Sequence, residues 1–299
     1  MSTCTSLLAR VAEPANLQRA WARYARARGL WLPGQPMTCV ARAPVGPMLA
    51  LAEDIRCGRY LPAPPHVVPV LLGNGKRRDL HVYALRDRVA QRALLQVVQA
   101  RTEPHMPGSV HGYRPGRGVA TALRAAQQLV DGGCAWVGDA DILKCFDSIP
   151  RQGVLAQAAR RLGDVDAAPV LARFMGWGPV QFAAGRTGLA QGSVLGPWLC
   201  NMYLWQLDDA VAAAGHRMVR YADDFLLLTP TQRACAAAMA ETAALLQRLG
   251  LKLHPDKTCM RHAVEPLAFL GKALSVTPLL RLWRPAPTVA AGNLETACC

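Results

Sequence analysis

Two adjacent carboxylates, Asp223 and Asp224, sit between apolar runs, with Met218-Val219 before them and Phe225-Leu226-Leu227-Leu228 after. Short runs rich in Val, Phe and Leu read as buried strands. The acids would then lie at a hairpin connection. Withdrawing two unpaired negative charges from water is costly, and a divalent metal would compensate. Taken alone, the pair also reads as a solvated turn with two acids at its tip, since Asp is an ordinary turn residue. A second acidic stretch lies upstream, Ala135-Trp136-Val137-Gly138-Asp139-Ala140-Asp141-Ile142, and reads as another buried strand ending in acid. Asp141 and Asp223 on neighbouring strands would bind two metals roughly 3.5–4 Å apart, as in enzymes that transfer phosphoryl groups.

These acids must be positioned by elements whose motifs come in a recognisable order. Asp141-Ile142-Leu143-Lys144-Cys145-Phe146-Asp147 is followed by Gly188-Leu189-Ala190-Gln191-Gly192-Ser193 and then by Tyr221-Ala222-Asp223-Asp224. The set resembles the palm of a reverse transcriptase, most closely the group II intron type with its CRISPR-associated relatives. Other stretches resemble further elements of that family. Asn74-Gly75-Lys76, Arg78, Leu80 and Arg86-Asp87-Arg88-Val89-Ala90-Gln91 look like its fingers segment. Gly112-Tyr113-Arg114-Pro115-Gly116-Arg117 looks like its G-Y-R-P-G-R element, Gly250 to Thr258 like its G-L-x-L-x-x-x-K-T element, and Phe269-Leu270-Gly271 like the element that holds the primer end. The resemblance covers roughly residues 50–272.

The resemblance implies an α+β fold of right-hand type, with fingers and an antiparallel palm sheet flanked by helices. It implies an RNA-directed DNA polymerase with two Mg²⁺ ions, for which Mn²⁺ is a substitute. Asp141, Asp223 and Asp224 would hold the metals, with the Ile142 carbonyl completing one site. Lys76, Arg78, Arg86 and Gln191 would meet the incoming dNTP. Phe146 would lie under its sugar and leave no room for a 2′-hydroxyl; packing in the core is the plainer reading of that residue. Lys257 would protonate or steady the leaving pyrophosphate, against the reading of a solvated lysine. Arg114, Arg117, Gly192, Leu270 and Gly271 would contact nucleic acid. Asp147 is read as the N-cap of the following helix, and Asp208-Asp209 as a solvated helix end.

Composition sets the outer limits. The chain has 299 residues, 52% of them hydrophobic, with 34 Lys+Arg against 20 Asp+Glu, a net charge of +14. That balance suits a polyanionic partner and says nothing about fold. No apolar run approaches the length of a membrane helix, and the ten cysteines show no C-x-x-C pair. Reduced thiols in a cytoplasmic protein with no membrane partner are expected.

In chain order, residues 1–30 read as basic helix and 31–47, with four prolines, as a linker. Residues 48–135 read as fingers and 136–271 as palm, with a finger-like helical insertion over 150–190. Residues 272–299 read as a short tail, the thumb rudimentary or missing. A basic hairpin over 67–83, helices over 87–100, 119–130, 151–175 and 231–249, and a helix opening at Gln191-Gly192 complete the expectation. The expected partners are an RNA template, a DNA or RNA primer and dNTPs, with CRISPR adaptation integrase proteins or a thumb-supplying protein beside them. A catalytically silent RNA-binding, maturase-like or phage-defence protein, and a mobile intron remnant, are the alternatives.

Overall fold

The computed structural model describes residues 6–274 except 72, 74, 76, 181–184 and 266. The expected short or absent thumb therefore falls outside the described residues, as does Lys76.

The chain opens with two short helices, α1 (Leu7–Val11) and α2 (Pro14–Ala22). A small hairpin follows, β1 (Leu30–Leu32) with β2 (Gln35–Pro36), then α3 (Met37–Ala41) and α4 (Val45–Arg56). The stretch read as a linker is thus folded. Trp31, Met37 and Val40 supply the reason: they are buried in the main core with Leu17 and Ala20 of α2, so burial overrides the loop signal of the prolines. Next come the exposed hairpin β3 (His66–Leu71) and β4 (Arg77–Val82), and the long α5 (Leu85–Thr102). Helix α5 runs through the core, burying Val89, Ala90, Ala93, Leu94 and Val98.

The second half holds the largest sheet among the described residues. After α6 (Val119–Asp131) come β5 (Trp136–Asp141), a single turn α7 (Cys145–Ser148), α8 (Arg151–Leu162) and α9 (Ala167–Phe174). Helix α8 stops at Gly163, whose φ of +60° suits glycine. The chain continues through α10 (Gly196–Ala213), β6 (Arg217–Tyr221), β7 (Asp224–Thr229), α11 (Gln232–Arg248) and β8 (Cys259–His262). A final hairpin pairs β9 (Leu267–Phe269) with β10 (Lys272–Leu274). Among the described residues no helix is long and apolar enough to cross a membrane.

Strands β6, β7, β5 and β8 form one antiparallel sheet in that order. Alternation divides its side chains between two cores. Met218, Ala140, Phe225 and Leu227 join the large helical core, where Ala238 of α11 and Leu199 of α10 also lie. Val137, Val219, Leu226 and Leu228 join a smaller core with Ala122 and Ala126 of α6 and with Leu267 and Phe269. Covered on both faces, the sheet can hold its ends still.

Three local expectations are corrected. The helix expected to open at Gln191-Gly192 begins at Gly196 and runs on to Ala213, past Asp208. The helix after Ser148 has Pro150 at its N-cap, and Asp147 lies inside the preceding turn. Of residues 1–30, expected as helix, the described part from residue 6 holds two short helices and the start of a strand.

Candidate active site

The acids meet at one end of the palm sheet. In the register of β5 and β7, Asp141 stands opposite Asp224, and Asp139 opposite Leu226. Directly opposed residues share a face, so Asp139, Asp141 and Asp224 line the same face. Tyr221 pairs with Asp224 across the β6–β7 hairpin, leaving Ala222 and Asp223 as its two-residue connection. The Asp223 carbonyl accepts from the Ile142 amide at 3.2 Å, which ties the connection to the end of β5.

Burial and mutual repulsion act together on these carboxyls. Asp224 is pushed up to about 7 by burial, then by Asp139, Asp141 and Asp223. Asp223 is raised chiefly by burial, with Asp141 adding and Lys257 and Arg78 opposing. Asp139 is raised by burial, with Arg261 opposing and Asp141 adding. Lys257 donates to Asp141 Oδ2 at 2.7 Å, and its ammonium is held above its ordinary range first by that bond. It is carried there by the segment after α11: Leu253 bridges to Ile142, and the His254 amide donates to the Asp141 carbonyl at 2.7 Å.

A crowd of acids in which Asp139, Asp223 and Asp224 are all raised is a place where a cation relieves repulsion. The donors are all hard carboxylate oxygens, the set that suits Mg²⁺ or Mn²⁺. Among the described residues no three His, Cys, Asp or Glu side chains are gathered closely enough to hold an ion by themselves. Beside phosphates Mg²⁺ needs only one or two carboxylates, completed by substrate oxygens and water, and Asp141 opposite Asp224 supplies a pair. The residues present fit the group on that basis.

The hairpin is braced from beneath. Arg220 is fully buried, and its Nε and Nη2 donate to Asp208 Oδ1 and Oδ2 at 2.9 and 2.5 Å. Its Nη1 reaches Asn201 Oδ1 at 3.0 Å and the Ala222 carbonyl at 2.9 Å. Burial opposes the charge of Arg220, but Asp208 outweighs burial and its pKa is raised. Asp208 is therefore an internal counterion, a correction to its reading as a solvated helix end. Asn201 also donates to the Gly112 carbonyl at 2.9 Å. Gly112 lies so close that a Cβ there would fall 2.5 Å from the Ala222 amide nitrogen, which explains a glycine at this position.

Left-handed backbone recurs in the motif segments. The non-glycine residues at positive φ among those described are Tyr113, Lys144, Ala222 and Leu270. Each belongs to one of the motifs singled out above, and such conformations persist only where the surroundings impose them.

The remaining expected residues divide. Arg78 on β4 is near enough to lower Asp223. Gln191 donates to Asp147 Oδ1 at 3.5 Å, and its carbonyl accepts from the His81 amide at 2.7 Å. That docks the β3–β4 hairpin on the loop before α10. Gly192 lies directly against the His81 carbonyl, where a Cβ would collide. Phe146 is half-buried and meets Tyr113 edge to face, with centroids 6.4 Å apart. Leu270 and Gly271 form the two-residue turn of β9–β10, both at positive φ, the backbone of a type I′ hairpin.

Arg114 is corrected. It is buried, with Nε on Glu103 at 2.9 Å and Nη1 on the Pro107 and Val110 carbonyls at 2.8 and 3.0 Å. Its fork organises its own loop and does not face a phosphate backbone. Arg117 gives Nη1 to the Gly108 and Val110 carbonyls but keeps partial exposure. Arg86 is held by Asp87 and by the Leu61 carbonyl, and lies over the Tyr60 ring. It braces the fingers, which withdraws it from the expected triphosphate role. Sequence reasoning missed Asp139, Asp208 and Arg220 as parts of the site. Only Asp139 carried a local signal, its two-residue spacing from Asp141 on one strand.

The geometry can be set beside known proteins. Residues 71–274 match the model of the reverse transcriptase (RNA-dependent DNA polymerase) family. The chain belongs to that family. Protein YkfC of Escherichia coli is 29% identical to this reverse transcriptase over 271 residues, covering 75% of this chain and 70% of its own. The group II intron-encoded protein LtrA of Lactococcus lactis subsp. cremoris is 22% identical over 295 residues, 76% of this chain and 49% of LtrA. The reverse transcriptase thus spans about half the length of LtrA. Telomerase from Candida albicans, in complex with a fragment of telomeric RNA, shares the fold at a TM-score of 0.54 and 11% identity. That match covers 71% of this chain and 44% of the telomerase.

Proposed function

We propose that this chain is an active RNA-directed DNA polymerase of group II intron type. It would join a dNTP to a primer end opposite an RNA template. The primer 3′-hydroxyl gives its proton to solvent and attacks the α-phosphate; a new P–O bond forms there, the P–O bond to the β-phosphate breaks, and pyrophosphate leaves. The observation that carries this reading is Asp141 opposed to Asp224 at one braced sheet end, with Asp223 in the adjoining connection and Lys257 and Arg78 acting on these acids.

Asp141, Asp223 and Asp224 would hold two Mg²⁺ ions, with Mn²⁺ as substitute. Bound there, the ions supply activation of the attacking hydroxyl and neutralisation of the leaving oxygens. The chain's own groups do the rest. Arg78, on the β3–β4 hairpin, meets the triphosphate with charge-assisted hydrogen bonds, the role the sequence also gives Lys76. Phe146 fills the space a 2′-hydroxyl would need. Gln191, tied to the fingers hairpin through His81, carries the fingers' position to the nucleotide. Lys257 holds Asp141 in the free protein and can give its proton to departing pyrophosphate. Leu270 and Gly271 steady the primer, and Arg117 and Gly192 line its path.

The biological setting proposed is DNA synthesis from RNA for CRISPR spacer acquisition, beside adaptation integrase proteins. The support is a resemblance: the stretch from Gly58-Arg59-Tyr60-Leu61-Pro62 through the G-Y-R-P-G-R element looks slightly more like the CRISPR-associated branch of the family. Service in a mobile intron is the competing setting. Extension of a DNA primer on an RNA template, with Mg²⁺ and dNTPs, tests the chemistry. Wild type should extend and Asp223→Ala should not, while both bind RNA equally. RNA binding without extension by either protein would move the chain to the silent, scaffold class.

A further inference from the structure

Tyr113 lies by the catalytic hairpin and has no part in the steps proposed for the polymerase. Its ring stands between two others of the site, with centroids 6.4 Å from Phe146 and 6.4 Å from Tyr221. Its backbone sits at φ +60°, where a bulky L residue is a genuine outlier and glycine would be at ease. The ring is nevertheless 44% exposed.

These facts do not suit a structural residue. A ring kept for the core would be buried, and a solvated turn at positive φ calls for glycine or asparagine. The fold instead clamps both sides of this position. On one side Gly112 is pressed against the catalytic hairpin and held by Asn201. On the other, the buried Arg114 fork ties down the loop through Glu103, Pro107 and Val110. The clamp forces an aromatic face into the open beside the acids. Its neighbour Tyr221 leads directly into the Ala222-Asp223 connection, and burial first, then Cys200 and Asp223, push the phenol up to about 12.

We propose that Tyr113 is a nucleotide-positioning residue, an open aromatic surface on which the nascent base pair packs next to Phe146. This rests on the polymerase reading. Every base has a π-face, so a stacked ring adds affinity without choosing sequence. The strained backbone presents the ring ready-made, and little ordering remains to be done on binding.

The test uses the full chain and a dideoxy-terminated primer on an RNA template. It measures the Kd of the correct dNTP, the KM and kcat of single-nucleotide insertion on an extendable primer, and thermal stability. Tyr113→Phe keeps the ring and should stay within about twofold of wild type in Kd and KM. Tyr113→Ala and Tyr113→Gly should each raise Kd and KM about tenfold, which is ~1.4 kcal/mol, with kcat changed less than about threefold. Tyr113→Gly should melt at or above wild type, because glycine accepts the positive φ. That separates a lost contact from a lost fold. Wild-type dNTP affinity in both ring-deleted variants overturns the proposal, as does a loss in Tyr113→Ala that Tyr113→Gly does not share. If wild type binds dNTP but does not extend, the polymerase reading fails while the Kd values still decide Tyr113. A wild type that neither extends nor binds dNTP overturns both.

Discussion

Replacing Asp208 with alanine should cost this protein a large part of its stability, although Asp208 lies outside the chemistry. The carboxylate takes two hydrogen bonds, at 2.9 and 2.5 Å, from a guanidinium that has no exposure to water. Alanine would leave Arg220 charged and buried, with only the neutral Asn201 and Ala222 oxygens as partners. Breaking one side of such a pair costs ~3–5 kcal/mol, against a total for a typical domain of ~5–15 kcal/mol. The double variant Asp208→Leu/Arg220→Met removes both charges and keeps apolar bulk, a replacement that is often neutral or stabilising. Urea unfolding at fixed pH, followed by circular dichroism, should therefore show a steep loss in each single variant. The double variant should recover to within ~1 kcal/mol of wild type, a coupling well above that of independent sites. Primer extension should not recover with it. The Ala222 carbonyl loses its donor in the double variant, the connection carrying Asp223 is released, and kcat should fall tenfold or more. Single variants that cost under ~1 kcal/mol, below the usual range for a broken buried pair, would refute the brace. So would a double variant that regains both stability and full turnover.

Two further outcomes follow from the same site. In metal-free protein the folded state holds the Asp224 proton more tightly than the unfolded chain does, because its pKa is raised from 3.8 to about 7. The stability this contributes is present below the unfolded value and is lost as pH rises through about 7. Asp224→Asn should flatten that slope and melt higher than wild type at pH ~8, where like charge is removed; melting curves with the same pH slope in both proteins would sink the assignment. Gly112→Ala would place a Cβ 2.5 Å from the Ala222 nitrogen. It should cost ~1–3 kcal/mol, as overpacking does, and slow primer extension; an unchanged melting temperature would show that the loop and hairpin are not in rigid contact.

What the chain alone determined was local. The strands around Asp141 and Asp223 were legible because apolar runs and turn residues act over a few positions, and β5, β6 and β7 lie where those runs lie. The family motifs supplied the order of the elements, and the fold agrees with that order. The path of residues 31–47 was not legible, since Pro and Gly signal a turn whether or not Trp31 and Met37 find a core to enter. Nor was the fate of the charges. Asp208 and Asp209 are neighbours of one type in the sequence, yet Asp208 is fully buried on Arg220 while Asp209 pairs with Arg161 near the surface. Arg114 and Arg117 share one motif, yet one is buried and the other half-exposed. Tertiary structure alone decided these roles. The energy of a charge depends on how far water is excluded from it and on which partner lies within about 3 Å. Both are set by elements distant in the chain, whereas helix and strand are set by neighbours along it.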